Sequence, residues 1–159
     1  MLSIAVLVGC SENPVNILIS DKNSFTMNGS GYTEAKFAAF NLDTASNARE
    51  LSGPSAFVVF SGTTTKLGEV FTLTLTTKTT STGSYQINGL EGTTAALAIS
   101  KGGTISTYFA TSGSITIDTW ASVNGRVTGR FDCSLALTSD PTISVLQITA
   151  GKFDAKRSE

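Results

Sequence analysis

The sequence predicts an all-β protein, a single-domain antiparallel β-sandwich or flattened β-barrel. Three observations carry that expectation. Apolar residues recur with a period of two, as in Phe71, Leu73 and Leu75 against Thr72, Thr74 and Thr76, which is the pattern of a strand with one buried face. Strand-like stretches return roughly every 10 to 15 residues with turn residues between them, the spacing of sandwiches and barrels. Thr, Ser and Gly are abundant while only 14% of residues are charged, so an exposed sheet face can be polar without charge. At 159 residues the chain is one domain by length, large enough to bury a sizeable core.

The first ten residues, MLSIAVLVGC, place Leu7-Val8-Gly9 directly before Cys10. This matches the lipobox of bacterial lipoproteins: an apolar segment that enters the membrane, a small residue at the cleavage point, and an acceptor cysteine. No Lys or Arg precedes the apolar run and the run is short, so it reads as a truncated signal segment with its start upstream. The competing reading makes Ile4 to Val8 a buried first strand ending at Cys10. Ser11-Glu12-Asn13-Pro14 then reads as a polar tether, and Ser11 after the cysteine is compatible with passage to the outer membrane.

Val15 to Ser20 alternates weakly and reads as an entry strand. Asp21 to Gly31 is turn-rich, with Phe25 and Met27 on one parity. Tyr32 to Phe40 places Ala35, Phe37 and Ala39 on one parity and fits a strand or a helical turn. In Asn41 to Gly53, Asp43 to Ser46 is compatible with a short helix or a loop. Ser55 to Ser61, bounded by Pro54 and Gly62, reads as a buried strand, and Val70 to Thr76 has the cleanest alternation. A turn over Thr79 to Gly83 leads to a short strand through Tyr85 and Ile87. Ala95 to Ser100 is another strand, and Lys101-Gly102-Gly103 turns into Thr104 to Ala110.

The C-terminal third makes the strongest fold statement. Ile115 and Ile117 alternate with polar residues up to Trp120, and Asn124-Gly125 suits a tight hairpin with positive φ at both centres. Val127, Gly129, Phe131, Cys133, Leu135 and Leu137 then share one face, and a one-residue slip would turn Phe131 and Leu135 out to water. Gly129 leaves an inward gap for an aromatic ring, for which Trp120 is the candidate. After a turn at Ser139-Asp140-Pro141 the apolar parity switches from Ile143 and Val145 to Leu146 and Ile148, predicting a bulge near Val145 or a strand buried on both faces. Ala150-Gly151 reads as a bend before an inward Phe153.

The order Gly113-Ser-Ile-Thr-Ile, Gly125-Arg-Val-Thr-Gly-Arg-Phe and Ile148-Thr-Ala-Gly-Lys-Phe, with Gly83-Ser84-Tyr85 upstream, resembles small Bacteroidetes lipoproteins of unknown function (DUF6252-like) over roughly residues 50 to 155. Arg130 and Ala150 stand where those proteins usually carry Thr and Asn. The shared positions are structural glycines and aromatics, so the resemblance implies a fold and an envelope address and carries over no catalytic residue. The expected layout is a truncated lipoprotein signal segment over 1–9, a tether and entry strand over 10–24, a β-sandwich domain over 25–155 and a polar tail over 156–159.

Function is constrained mainly by what is missing. Histidine is absent, removing the commonest general base and metal ligand together. A net charge of −1 and a pI near 5.4 go with no basic patch, so no nucleic-acid partner is expected. Asp118 and Asp132 are the one carboxylate pair on adjacent predicted strands, and both read as solvated outer-face charges. No catalytic or metal site and no cofactor is expected. Of the two cysteines, Cys133 shares its parity with Phe131 and Leu135 and reads as a buried free thiol rather than half of a bridge to Cys10. Trp120 is the candidate ligand-stacking residue; Tyr32, Tyr85 and Tyr108 are aromatics of the same kind, read as core filling. The expectation is a non-enzymatic outer-membrane lipoprotein on the periplasmic or cell-surface face. It would be held to the membrane through a lipid anchor at Cys10 and act as a binding or structural module for a glycan or protein partner. The alternative is an extracellular structural, adhesin or particle subunit without an anchor, with a ligand-binding barrel third.

Overall fold

The computed structural model describes residues 19–158 except 42–43, 52, 54, 65–67 and 89–91. Among the described residues ten strands form: β1 (Ile19–Gly29), β2 (Tyr32–Phe40), β3 (Ser46–Glu50), β4 (Ala56–Thr64), β5 (Glu69–Thr77), β6 (Gly83–Gln86), β7 (Thr94–Lys101), β8 (Thr104–Trp120), β9 (Arg126–Leu137) and β10 (Asp140–Arg157). Eight of them close an antiparallel barrel in the order β1-β2-β4-β5-β7-β8-β9-β10 and back to β1. β3 lies outside this ring, antiparallel to β4 and parallel to the last residues of β10, with Lys156 opposite Asn47 and Arg157 opposite Ala48. β6 extends the wall beside the second half of β8, Tyr85 opposite Ile115, beyond the point where β7 stops pairing.

Two of the hairpins are set by local chemistry. Ser30 and Gly31 connect β1 to β2 with φ of 45° and 85°, and Gly102 and Gly103 connect β7 to β8 with φ of 56° and 83°. Positive φ at both central residues gives a turn whose twist matches the strands it joins. The connections β1–β2, β4–β5, β7–β8 and β9–β10 therefore gather at one end of the barrel, here the hairpin end. Ile19 and Arg157 lie at the opposite, terminal end.

Inward parity is strict. Ala56, Val58, Phe60, Gly62 and Thr64 of β4 are buried in alternation, as are Phe71, Leu73 and Leu75 of β5 and Phe131, Cys133 and Leu135 of β9. Six phenylalanines interlock at the centre. Phe25 stacks on Phe37 (4.9 Å between centroids) and meets Phe71 edge-on at 5.2 Å, and Phe60, Phe131 and Phe153 continue the cluster. Rings in these geometries add specific attraction to their area burial, and they fill the interior as in other eight-stranded barrels.

Several expectations change in three dimensions. The turn-rich stretch Asp21 to Gly31 is mostly strand: Phe25 and Met27 face the core, and their burial overrides weak local propensity. Of the expected tether and entry strand, residues 19–24 belong to the barrel wall while 10–18 lie outside the described residues, and β10 takes in Lys156 and Arg157 from the expected polar tail. The ambiguous region from Asn41 holds strand β3, not a helix. Asn124-Gly125 does not form a two-residue hairpin; Ala121 to Gly125 connect β8 to β9, and of that pair only Asn124 (φ 69°) has positive φ. The inward gap at Gly129 is filled by Phe153 rather than Trp120: a Cβ there would strike the Phe153 ring and the Thr116 carbonyl. Gly151 similarly leaves room for Phe131, whose ring would lie 2.7 Å from an added Cβ. The parity switch in β10 arises from irregular pairing between Asp140 and Val145 and a second bulge at Ala150 (φ 51°); Val145 is exposed, so the strand is not buried on both faces.

At the seam between β1 and β10 the ladder pairs Ser24 with Lys152. Just beyond it the buried Asn23 substitutes a side chain for a strand. Its Nδ2 donates to the Asp154 carbonyl at 3.1 Å, and the Asp154 N–H donates to its Oδ1 at 2.7 Å. Both backbone groups are thereby satisfied where β1 has drifted out of register.

Phe131 is 3% exposed and touches rings from three other strands. Phe131→Ala is expected to destabilise the fold by about 3–5 kcal/mol, read from chemical denaturation midpoints. A loss below about 1 kcal/mol would contradict this packing.

Candidate functional site

The structure disperses the residues singled out from sequence. Cys10 lies outside the described residues. Trp120 is half-buried at the terminal end, packed against the core, with the Arg157 guanidinium 5.4 Å from its ring centroid. Arg157 also donates to Glu50 Oε2 and to the Ala121 carbonyl, each at 2.8 Å, so one face of the indole is covered by a fixed cation. Asp118 accepts from Arg130 at 3.1 Å, and Asp132 accepts from Ser114 Oγ at 3.0 Å. Asp132 stands opposite Ser114, four residues from Asp118, which at strand rise puts the carboxylates roughly 13 Å apart. That is wider than a hydrolytic acid–base pair uses. Tyr85 is tied to its own turn through the Ser81 carbonyl at 2.7 Å. Among the described residues no group of three or more potential ligands is placed to hold a metal ion, and no helix is long and apolar enough to cross a membrane.

A different constellation forms at the hairpin end. Extending the inward parity of Phe71, Leu73 and Leu75 back by two residues places Glu69 inside the barrel mouth, where it is 2% exposed. Glu69 is the cross-strand partner of Lys101, and the ammonium donates to Oε1 at 2.8 Å. From the other side of the mouth the Tyr32 hydroxyl donates to Oε2 at 3.3 Å. Thr63 Oγ1 fixes the strand start by donating to the Glu69 carbonyl at 2.7 Å. Burial alone would raise the Glu69 pKa, but the hydrogen bond and charge of Lys101, with hydroxyl donors from Tyr32 and Thr64, outweigh it and hold the carboxyl below its usual value. The same environment pushes Tyr32 up to about 12, through burial first and then the neighbouring Glu69 charge.

Beside this triad a pocket of about 320 Å³ opens between the β1–β2 turn and the β7–β8 hairpin. Ser30, Tyr32, Lys101, Thr104 and Ser106 supply its polar atoms, while the buried Ile99 and Tyr108 supply apolar surface. The larger concavity over the bulge in β1, about 410 Å³, is lined by Phe25 and Phe37 with Asp21, Ser24, Thr26, Lys36, Thr63 and Lys152; it is polar too, but among the described residues it has no buried carboxylate like Glu69 beside it.

Cys133 is buried and unbridged. Burial, with Asp132 adding to it, pushes its thiol up to about 12, so the thiolate is scarce at neutral pH.

No family model matches the chain, and neither a curated protein nor a solved structure does.

The mouth triad was missed in the sequence reading because Glu69, Lys101 and Tyr32 are distant in the chain. The available signals were the Phe71 parity run backwards and the Lys101-Gly102-Gly103 turn, which together set Glu69 inward near a hairpin.

Two measurements follow. The folded Glu69 carboxyl lies below its unfolded value, so its stabilisation is complete above about pH 4.5 and is lost as pH falls through the folded pKa. Glu69→Gln is therefore expected to flatten the fall of Tm between about pH 6 and pH 3; an unchanged slope would show that Glu69 contributes no linkage. In a chain carrying Cys10→Ser, Cys133 is expected to label slowly with a thiol reagent near neutral pH and rapidly once unfolded. Fast labelling of the native protein would reveal an accessible thiolate and reopen a catalytic role.

Proposed function

We propose that this chain is a non-enzymatic envelope lipoprotein, anchored to the outer membrane through Cys10, whose barrel is a binding module. The observation that carries this reading is the polarity of the barrel. The chain enters at the terminal end through Ile19, and the Glu69 mouth lies at the other end. From Cys10 to Ile19 is nine residues, which reach at most about 30 Å when fully extended. An anchor at Cys10 therefore keeps the terminal end within about 30 Å of the lipid and leaves the hairpin end free to face away from it. The aromatic packing of the interior supports recognition at the mouth and wall rather than inside the barrel, unlike the ligand-binding barrel considered from sequence. The position of the carboxylates Asp118 and Asp132, each committed to a structural partner, favours binding over hydrolysis.

One observation favours the anchor-free assembly subunit as a second reading. Phe109, Ala136 and Val145 lie side by side across the outer wall of β8, β9 and β10, and Phe109 and Val145 are 48% and 53% exposed. A contiguous apolar strip of this kind suits contact with another subunit.

The anchor is tested by expressing the gene with its native 5′ flanking region in a bacterial host. The wild-type protein is expected in the membrane fraction, and Cys10→Ala is expected to release it or leave it unprocessed. An intact mass showing unmodified Met1 on the mature native chain would overturn the lipoprotein reading.

A further inference from the structure

We infer that the pocket at the hairpin end binds an uncharged polyhydroxylated ligand, of the size of a mono- or disaccharide. This rests on the reading of the barrel as a binding module, though not on its lipid anchor.

Charge decides the class first. Among the described residues the only ionised side chain lining the pocket is Lys101, and its ammonium lies 2.8 Å from the Glu69 carboxylate. The pair is neutral as a unit. An anionic ligand entering beside Lys101 would have to share that ammonium with Glu69 and approach a second negative charge. A cationic ligand would have to displace Lys101 from a carboxylate that is 3% exposed. A neutral ligand meets neither penalty. The ammonium still offers the N–H donors that Glu69 does not take, since a carboxylate oxygen at one position satisfies one of its three.

The lining then decides what kind of neutral ligand fits. Ser30, Thr104 and Ser106 each bring a hydroxyl that donates and accepts, which is the complement of a ligand rich in hydroxyls. Tyr108 and Ile99 bring buried apolar surface behind them, against which the C–H face of a sugar ring can lie. The volume of about 320 Å³ is at the lower end of small-ligand sites. Glu69 is a positioning residue here: it does not line the pocket but holds both the Tyr32 phenol and the Lys101 ammonium in place. Both flanking turns are two-residue connections of opposed strands, which leaves the backbone of the frame few alternative conformations. Such a site loses little conformational entropy when it is occupied.

The test is titration of the full-length, ¹⁵N-labelled protein with N-acetylglucosamine and maltose, each compared with anionic glucuronate and cationic glucosamine. Saturable amide shifts confined to residues 30–32 and 99–108 are expected with at least one neutral sugar. The charged sugars should bind at least about tenfold more weakly, equivalent to about 1.4 kcal/mol. Thr104→Val and Ser106→Ala, both at the rim, should each weaken the neutral sugar with circular dichroism and Tm unchanged. Glu69→Gln should weaken it as well by releasing Lys101. Tighter binding of glucuronate or glucosamine at the same amides would overturn the ligand class while leaving a binding module in place. Shifts from the neutral sugars scattered outside the pocket would overturn the site. No saturable shift with any of the four sugars would overturn the proposal and count against the binding-module reading itself.

Discussion

Closure of the barrel by β1 is the constraint on which the rest of the structure depends. β1 pairs with β2 on one side and β10 on the other, and Phe25 at its middle meets rings from β2, β4, β5 and β9. Each strand of the ring thereby has a partner on both sides, which removes the two open edges that an eight-stranded sheet would otherwise present. The closure is not a uniform ladder. Where β1 leaves register, Asn23 bonds both backbone groups of Asp154, and on the other side of the same aspartate Arg126 Nε donates to Oδ1 at 2.5 Å. A polar knot at the terminal end and an aromatic cluster at the centre hold the same seam by different means.

The solidity of that centre governs where recognition can occur. Gly129 and Gly151 give up side chains so that Phe153 and Phe131 can lie against the wall, and the interior residues from Met27 to Leu146 are almost wholly removed from water. An interior packed in this way has no room for a guest without displacing side chains from their contacts. Chemistry is therefore pushed to the rims. At the hairpin end a buried carboxylate survives because it has an ammonium and hydroxyl donors around it. An isolated charge at that depth would be paid for by a strongly shifted pKa. At the terminal end the ionic groups are spent on structure, with Arg157 bridging Glu50, Ala121 and the Trp120 ring. That division is the physical reason the mouth, and not Trp120, becomes the candidate site.

The outer wall adds a second surface of a different character. Thr72, Thr74 and Thr76 keep one side of the barrel polar without charge, whereas Phe109, Ala136 and Val145 form an apolar strip on the other. Ala136 is 7% exposed although it faces outward, because its two cross-strand neighbours shield it. The strip is a property of register: a shift of β8 against β9 by one residue would break it up.

Strand period, turn chemistry and inward parity were legible in the chain because each depends on residues two to four apart. The alternation from Phe71 to Leu75, the run from Val127 to Leu135, the Gly102-Gly103 turn and the burial of Cys133 could all be read locally. What the sequence could not settle was anything that depends on which strands meet. Ring closure requires β1 to find β10 more than a hundred residues away, so Asp21 to Gly31 looks like a turn-rich loop until Phe25 and Met27 have a core to face. The partner of Gly129 is a ring on β10 rather than the nearer Trp120, because cross-strand neighbours are set by pairing and not by distance along the chain. Glu69, Lys101 and Tyr32 each look like ordinary surface residues in sequence. Only the meeting of β2, β5 and β7 at one barrel end turns them into a buried carboxylate held by an exposed ammonium, with a pocket beside it. The sequence by itself determined an all-β chain with a specified inward face. Tertiary structure decided the closed ring and the site at its mouth, because both arise from contacts between segments with no local sign of each other.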